Sequence, residues 1–232
     1  MTKDQRLTTI IFLLLFPSLC LAQVSEKQLC DAFLTNNMPV WKQYIDSCAG
    51  LSPLASSHSP LSIEYGYCGA MMNVDKEAAK PYVRQYRAHV EAAKDLPAGH
   101  YEMYMSAVYV YELRLHESFH PAKSLSLARA AVEKAPNDPL TLTYCGTALF
   151  YAPKPFGSKS EALELFLKAE KLFQDPKWHD CWWRPAALMY IAQCYDKQGD
   201  TQEAIRRCKE LVKEYPNYTF IRDEYLPQLL AN

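Results

Sequence analysis

Five consecutive residues, His116-Glu117-Ser118-Phe119-His120, have the spacing of a zinc-binding H-E-x-x-H motif. On a continuous helix the two imidazoles would lie on one face and bind zinc, and Glu117 would polarise a water molecule for hydrolysis. Pro121 argues against this geometry, because the residue before a proline is disfavoured in the helical conformation. We therefore favour the interpretation that the two histidines lie at a helix end. The alternative is a zinc-dependent hydrolase that uses His116, Glu117 and His120, with Glu133 as the candidate third ligand.

The aromatic run Trp178-His179-Asp180-Cys181-Trp182-Trp183 is a second group of side chains suited to binding. Exposed indole rings would offer a stacking platform to a glycan or a proline-rich peptide. Indole rings also pack well between helices, and we favour the interpretation that this run packs a long connection against adjacent repeats. A glycan-binding module that uses the tryptophans of 178–183 is the other alternative.

The cysteines do not form a recognisable reactive or metal-binding motif. None of the eight stands in a C-x-x-C pair, which the redox, c-type haem and zinc-ribbon motifs require. Cys145, Cys194 and Cys208 fall at helical spacing and are expected to be small apolar fillers. The formation of one or two disulfides among the seven cysteines after residue 22 is left as an alternative, since an exported chain meets an oxidising compartment.

The first 22 residues have the pattern of a secretory signal peptide. Lys3 and Arg6 precede an apolar run over 8–16, and Cys20-Leu21-Ala22 provides small residues for cleavage after Ala22. Lipidation at Cys20 is the alternative, although Leu19 stands where a lipoprotein site has a small residue. The apolar run is too short for a membrane span, and no later stretch reaches about 18 apolar residues. We therefore expect export to the periplasm or cell surface of a Gram-negative bacterium, without an integral membrane span.

The chain carries no excess of basic residues, since its formal net charge is −1. This balance argues against nucleic acid and anionic lipid as partners. The sequence also lacks a glycine-rich phosphate loop, a G-x-S-x-G elbow and a dinucleotide-binding fingerprint. We therefore expect no catalysis and assign no catalytic residue, metal or cofactor.

The clearest structural signal is a helical hairpin near the C-terminus. Pro185 suits the first turn of a helix, and Gly199 provides a residue that ends it in the left-handed conformation. Asp200, with Glu203 three residues later, is typical of the start of the next helix, which Pro216 stops. The hairpin therefore occupies about 185–218.

Weaker copies of this hairpin lie upstream. A small residue of the second helix recurs at Ala79, Ser124, Ala162 and Ala204, at intervals of 45, 38 and 42 residues. In one of these copies, Asp138 starts the first helix and Ser158 starts the second. The segment 150–157, which connects the two helices, is expected to be long and proline-rich. No stretch alternates polar and apolar residues convincingly, so the sequence predicts an all-α protein.

We divide the chain into a signal peptide over 1–22, an N-terminal helix and loop over 23–56, a divergent helical hairpin over 57–98 and a repeat array over 99–232. The N-terminal segment is expected to contain one amphipathic helix over 24–48, followed by a serine- and proline-rich loop over 52–62. A short helix over 220–230 is expected to cap the last repeat, because terminal repeats expose an apolar face.

The spacing of these residues resembles the tetratricopeptide repeat over 103–218. With the signal peptide and the 150–157 insertion, the chain is similar to exported tetratricopeptide proteins of Bacteroidetes-type bacteria. The resemblance implies a right-handed superhelix of hairpins with N- and C-terminal capping helices, whose first helices line a concave groove for protein or peptide ligands. It places these residues in the groove: Thr143, Thr147, Phe150, Tyr151, Ala186, Met189, Gln193, Asp196 and Lys197.

The basic residues with which chaperone-binding members clamp a C-terminal carboxylate are not reproduced as a set at these positions. We therefore expect an exported protein- or peptide-binding scaffold of the cell envelope that binds its partner in another way.

Overall fold

A computed structural model describes residues 24–48 and 60–231, and its regular elements in these ranges are helices without any strand. The signal peptide, Cys20 and the 52–59 part of the predicted loop lie outside the described residues. Within the described ranges, no helix is both long enough and apolar enough to cross a membrane.

Eleven α-helices follow one another in the described residues. They are α1 (Glu26–Leu34), α2 (Met38–Cys48), α3 (Pro60–Val74), α4 (Lys76–Ala92), α5 (His100–Arg114), α6 (Pro121–Lys134), α7 (Pro139–Tyr151), α8 (Lys159–Leu172), α9 (Trp183–Lys197), α10 (Thr201–Glu214) and α11 (Leu226–Ala231). A 3₁₀ turn, Pro176–Trp178, precedes α9, and a π-helical turn, Phe220–Tyr225, leads into α11.

Eight of these helices form four consecutive hairpins: α3 with α4, α5 with α6, α7 with α8 and α9 with α10. Each hairpin packs on the next, and the first helices also contact one another in the order α3, α5, α7 and α9. The predicted all-α fold with an array of helical hairpins is confirmed. The C-terminal π-helical turn and α11 pack on α10, as expected of a capping segment.

The helix starts follow the capping residues of the sequence. The carboxylate of Asp200 accepts a hydrogen bond from the backbone N–H of Glu203 at 3.1 Å, and the Ser158 hydroxyl accepts one from Glu161 at 3.1 Å. A side-chain cap of this kind contributes about 1 kcal/mol to helix stability. Gly199 has a φ of 89°, so it ends α9 in the left-handed conformation that the sequence predicts.

Small residues set the distance between the two helices of a hairpin. The recurring residues Ala79, Ser124, Ala162 and Ala204 are all buried, which confirms the repeat spacing. Gly146 of α7 allows an equally close approach, because a Cβ atom there would lie 2.8 Å from the Phe166 ring of α8.

The N-terminal segment differs from its prediction, because 24–48 contains two helices and the expected single helix is wrong. The break between α1 and α2 lies at 35–37, where Asn36 adopts a left-handed φ of 52°. Asparagine tolerates this conformation better than most residues, and Pro39 then fits the first turn of α2. The chain can therefore turn back, and α2 packs against both α1 and α3.

The same N-terminal pair also contacts the last hairpin, at the other end of the array. The Trp41 ring lies edge-on to Trp182 with centroids 5.2 Å apart, and Phe33 lies 5.3 Å from Trp182 and 5.6 Å from Tyr218. On α3, the Tyr65 ring stacks on Trp183 at 5.1 Å. We call these six residues the closing cluster: Phe33, Trp41, Tyr65, Trp182, Trp183 and Tyr218.

The closing cluster depends on a glycine that admits Trp41. A Cβ atom at Gly66 of α3 would lie 2.0 Å from the Trp41 ring, well inside van der Waals contact. We expect Gly66→Ala to lower the free energy of unfolding by about 1–3 kcal/mol, the usual cost of overpacking, as measured by urea denaturation.

Gly69→Ala is the matched control, because its Cβ would lie 3.1 Å from the Tyr111 hydroxyl, a much smaller overlap in the same helix. Both substitutions replace glycine by alanine within α3, so they raise its helix propensity by the same amount. Equal stabilities of the two variants would contradict the tight contact between Gly66 and Trp41.

A buried carboxylate predicts a pH-dependent stability. One oxygen of Glu64 lies 2.7 Å from His89 Nδ1, whereas the other is buried without a hydrogen-bond partner. Burial raises the pKa of Glu64 above its usual range, and His89 opposes this shift. Glu64 therefore binds its proton more tightly in the folded state than in the unfolded state. The stability that this protonation gives the folded state is lost as the pH rises through the raised pKa.

We therefore expect Glu64→Gln to gain stability relative to the native chain as the pH rises from 4 to 7. Chemical denaturation at both pH values measures the difference. A difference between the two proteins that does not change with pH would show that Glu64 keeps an ordinary pKa.

Candidate binding cavity

A cavity of about 690 Å³ lies along the first helices of the array. Helices α3, α5 and α7 provide much of its wall, α1 and α2 add side chains from the N-terminal pair, and α6 and α9 complete it. We call it the central cavity. Its lining residues include Trp41, Tyr65, Gly69, Tyr111, Arg114, Tyr144, Thr147, Ala148, Tyr151 and Tyr190.

Two tyrosines of the wall have hydroxyl groups that are already bonded within the protein. The Tyr111 hydroxyl donates to the Tyr65 carbonyl at 2.6 Å, and the Tyr144 hydroxyl donates to Ser106 Oγ at 2.9 Å. Burial raises the pKa of both tyrosines, so both remain neutral. These hydrogen bonds hold the rings in place at the cavity wall.

Among the described residues that line the cavity, Arg114 is the only charged one. It is half-buried at the last turn of α5, and its guanidinium donates to Asn73 Oδ1 at 2.8 Å. Within 24–48 and 60–231 it forms no ion pair with a carboxylate. The cavity therefore combines an apolar, aromatic wall with one positive charge.

Some of the predicted groove residues lie at this cavity. Thr147 and Tyr151 line it, together with Ala152 and Pro153 from the predicted insertion. Phe150 is buried behind them against Tyr151 and Tyr190. Thr143 is buried, and its hydroxyl donates to the Pro139 carbonyl at 2.7 Å within α7.

The predicted groove residues of the last hairpin lie outside the cavity lining. Ala186 is buried, and Met189 Sδ accepts a hydrogen bond from Tyr218 at 3.1 Å. Asp196 accepts one from Tyr225 at 3.2 Å. Exposed Lys197 lies beside Asp196 with its Nζ 3.6 Å from the carboxylate, and Gln193 is half-buried. A binding role for these residues stays a prediction.

Sequence reasoning missed the contributions of α1, α2, α3 and α5 to the cavity. The hairpin at 57–98 has only a faint repeat pattern, so its first helix gave no reason to single out Tyr65 or Gly69. Arg114 follows the tyrosine-rich segment of α5, and a cation after this segment is the signal that could have found it.

The H-E-x-x-H residues lie in the turn between α5 and α6, after the end of one helix and before the start of the next. His116 has a left-handed φ of 58°, and His120 precedes the first residue of α6. Glu117 accepts a hydrogen bond from Arg84 at 2.7 Å. The two imidazoles therefore do not share a helical face. In the described ranges no group of three potential ligands is close enough to hold a metal ion.

The tryptophans of 178–183 differ in their exposure. Trp182 and Trp183 are buried in the closing cluster, with 4% and 2% of their surface exposed, and Trp178 is half-buried against Phe173. Trp182 packs on Phe33 and Trp41 of the N-terminal pair, and both indoles pack on Tyr65 of α3. Their ring faces are therefore covered by the protein's own side chains.

The six cysteines whose side chains are described are buried free thiols: Cys30, Cys68, Cys145, Cys181, Cys194 and Cys208. Burial raises the pKa of Cys145, Cys194 and Cys208 to about 12 each, which keeps them protonated and unreactive. Their prediction as apolar fillers is confirmed.

Comparison with known proteins identifies one repeat. Residues 186–218 match the family model of the tetratricopeptide repeat, which confirms the resemblance for the last hairpin. The solved structure of YrrB, described as a TPR protein with an unusual peptide-binding site, is 16% identical, with 85% of this chain and 83% of YrrB covered and a TM-score of 0.40. The MamA structure is 10% identical over 82% of this chain and 86% of MamA, with a TM-score of 0.37. No curated protein matches the sequence.

The buried indoles allow a direct test of the closing cluster. Trp183 Nε1 donates to the Ser62 hydroxyl at 2.7 Å, in a buried contact between the first and last hairpins. We expect Trp183→Phe to lower the free energy of unfolding by about 1–3 kcal/mol, because it removes this hydrogen bond and part of a buried ring.

Half-buried Trp178 provides the matched control, and Trp178→Phe is expected to cost less than about 1 kcal/mol. Guanidinium denaturation monitored by circular dichroism measures both variants. A larger loss for Trp178→Phe than for Trp183→Phe would contradict the burial described here.

Proposed function

We propose that the chain is an exported scaffold that binds a protein or peptide segment in the central cavity. The observation that carries this proposal is the preformed, aromatic-lined cavity along the first helices of consecutive hairpins. A cavity of about 690 Å³ falls in the range of about 300–1,000 Å³ typical of ligand pockets. That volume suits a short segment of chain rather than a folded domain.

The chemistry of the wall supports binding rather than catalysis. Its described lining contains no carboxylate, imidazole or thiol, the groups that most often act as acid, base or nucleophile in enzymes. Rings such as Tyr111 and Tyr144 are held by internal hydrogen bonds, so little side-chain entropy is lost when a ligand packs against them.

The location of the scaffold is a separate part of the proposal. The basic start, apolar run and small residues of 1–22 support export, and the balanced charge suits a protein partner better than nucleic acid. We place the protein in the periplasm or on the surface of a Gram-negative bacterium.

A cavity-filling substitution tests the proposed site. Ala148 of α7 lines the cavity and is half-buried, so Ala148→Trp would place an indole in the binding space. Ala78→Trp adds the same side chain at an exposed position of α4 outside the cavity lining. Both variants are checked for native thermal stability before use.

The probe is a phage-displayed library of random heptapeptides selected on immobilised protein. We expect the native protein and Ala78→Trp to enrich a common set of peptides, which Ala148→Trp retains at least about tenfold less well, a difference of about 1.4 kcal/mol. Equal retention by Ala148→Trp, or no enrichment by the native protein, would overturn the proposed site.

A further inference from the structure

The central cavity contains a positive charge that no carboxylate in the described part of the chain neutralises. Arg114 is the only charged residue of the described lining, and its hydrogen bond to Asn73 is a bond to a neutral amide. Other arginines of the same region have carboxylate partners: Arg87 donates to Glu112 at 2.5 Å, and Arg84 donates to Glu117 at 2.7 Å. Arg114 is thus left with its charge beside an apolar wall.

A position at the end of a helix does not by itself account for this arrangement. A cation in the last turn of α5 interacts favourably with the helix dipole, but the same effect would be obtained with the side chain in open solvent. Partial burial of a guanidinium costs free energy unless its N–H groups find acceptors. Asn73 provides one acceptor, and the remaining N–H groups are available to a ligand.

A second hydrogen-bond donor lines the same cavity as Arg114. The Tyr65 hydroxyl forms no hydrogen bond within the described part of the chain, and Tyr65 lines the cavity. Burial and the neighbouring Tyr151 raise the pKa of Tyr65 while Arg114 lowers it, so the hydroxyl remains protonated and can donate. A guanidinium and a phenol together suit an oxyanion, which only accepts hydrogen bonds.

We infer that the ligand of the central cavity is an apolar peptide segment with one carboxylate, which pairs with the Arg114 guanidinium while its apolar side chains pack on the tyrosine rings. This inference rests on the proposed function and specifies its ligand. The single positive charge in the otherwise uncharged described lining favours a ligand with one negative charge and disfavours a basic segment. The carboxylate comes from an acidic side chain or from a chain terminus, and both sources present the same group.

Synthetic peptide pools test the inference on the native protein. Unlabelled, acetylated heptapeptide amides of Ala, Val, Leu, Phe and Asn carry Glu, Gln or Lys at the central position. A fourth pool carries Gln and a free C-terminal carboxylate, and dodecanoate provides a carboxylate on an apolar chain that is not a peptide. Isothermal titration calorimetry measures the apparent affinity of each pool and of dodecanoate. We expect the Glu pool to bind at least about tenfold more tightly than the Gln pool, since a charge-assisted hydrogen bond is about twice as strong as a neutral one, and the Lys pool to bind least well.

Variants assign the preference to Arg114. We expect Arg114→Met to remove the difference between the Glu and Gln pools and Arg114→Lys to keep part of it. Arg84→Met, which removes an exposed arginine outside the cavity lining, should leave the difference unchanged. If the free-carboxylate pool matches the Glu pool and loses this affinity in Arg114→Met, the terminal carboxylate is also a source.

The outcomes separate the inference from the proposed function. Equal binding of the Glu and Gln pools by native protein, when Ala148→Trp weakens both, would overturn the anionic ligand and leave peptide binding in place. A Glu preference that persists in Arg114→Met would also overturn the role of Arg114. Binding of no pool, or binding of dodecanoate alone, would overturn peptide binding and the inference together.

Discussion

The closed arrangement of the hairpins depends on aromatic contacts that join the two ends of the helical array. Phe33 and Trp41 from the N-terminal pair pack on Trp182 before the last hairpin, and Tyr65 stacks on Trp183 with an interplanar angle of 8°. Each such pair contributes about 0.5–1.5 kcal/mol beyond its buried area. In an open array of hairpins each unit contacts only its neighbours. Here the first and last units also contact each other, so their stabilities are coupled.

The central cavity follows from this closure. The first helices of the hairpins form much of its wall, and α1 and α2 add Phe33 and Trp41 to the lining. An open groove of the same helices would accept an extended partner along its length, whereas the closed arrangement limits the ligand to a short segment. In the proposed mode of binding, Arg114, the one charge of the described lining, discriminates between ligands.

The local features of the fold could be predicted from the sequence. Gly199 and Asp200 specify a helix end and a helix start through their own backbone and side-chain preferences, and both behave as predicted. The buried residues Ala79, Ala162 and Ala204 were recognisable because small side chains recur where paired helices approach closely.

The cavity could not be predicted, because it depends on contacts between distant parts of the chain. Ser62 and Trp183 are 121 residues apart, and no spacing rule relates them. The left-handed conformation of Asn36, which lets α2 turn back onto α1, was also hidden, since asparagine occurs within helices as well. Groove residues were instead placed by the expectation of an open array, which ignores the N-terminal pair.

The most direct test of the closure is a measurement of the distance between Trp41 and Trp182 in solution. The chain has four tryptophans, so selective labelling of their indole protons gives a spectrum that can be assigned by substitution. A nuclear Overhauser effect between Trp41 and Trp182, whose ring centroids are 5.2 Å apart, is the predicted result. The Trp182–Trp183 pair, at 4.6 Å, provides the internal reference. A clear effect for the reference pair without one between Trp41 and Trp182 would contradict the closed array.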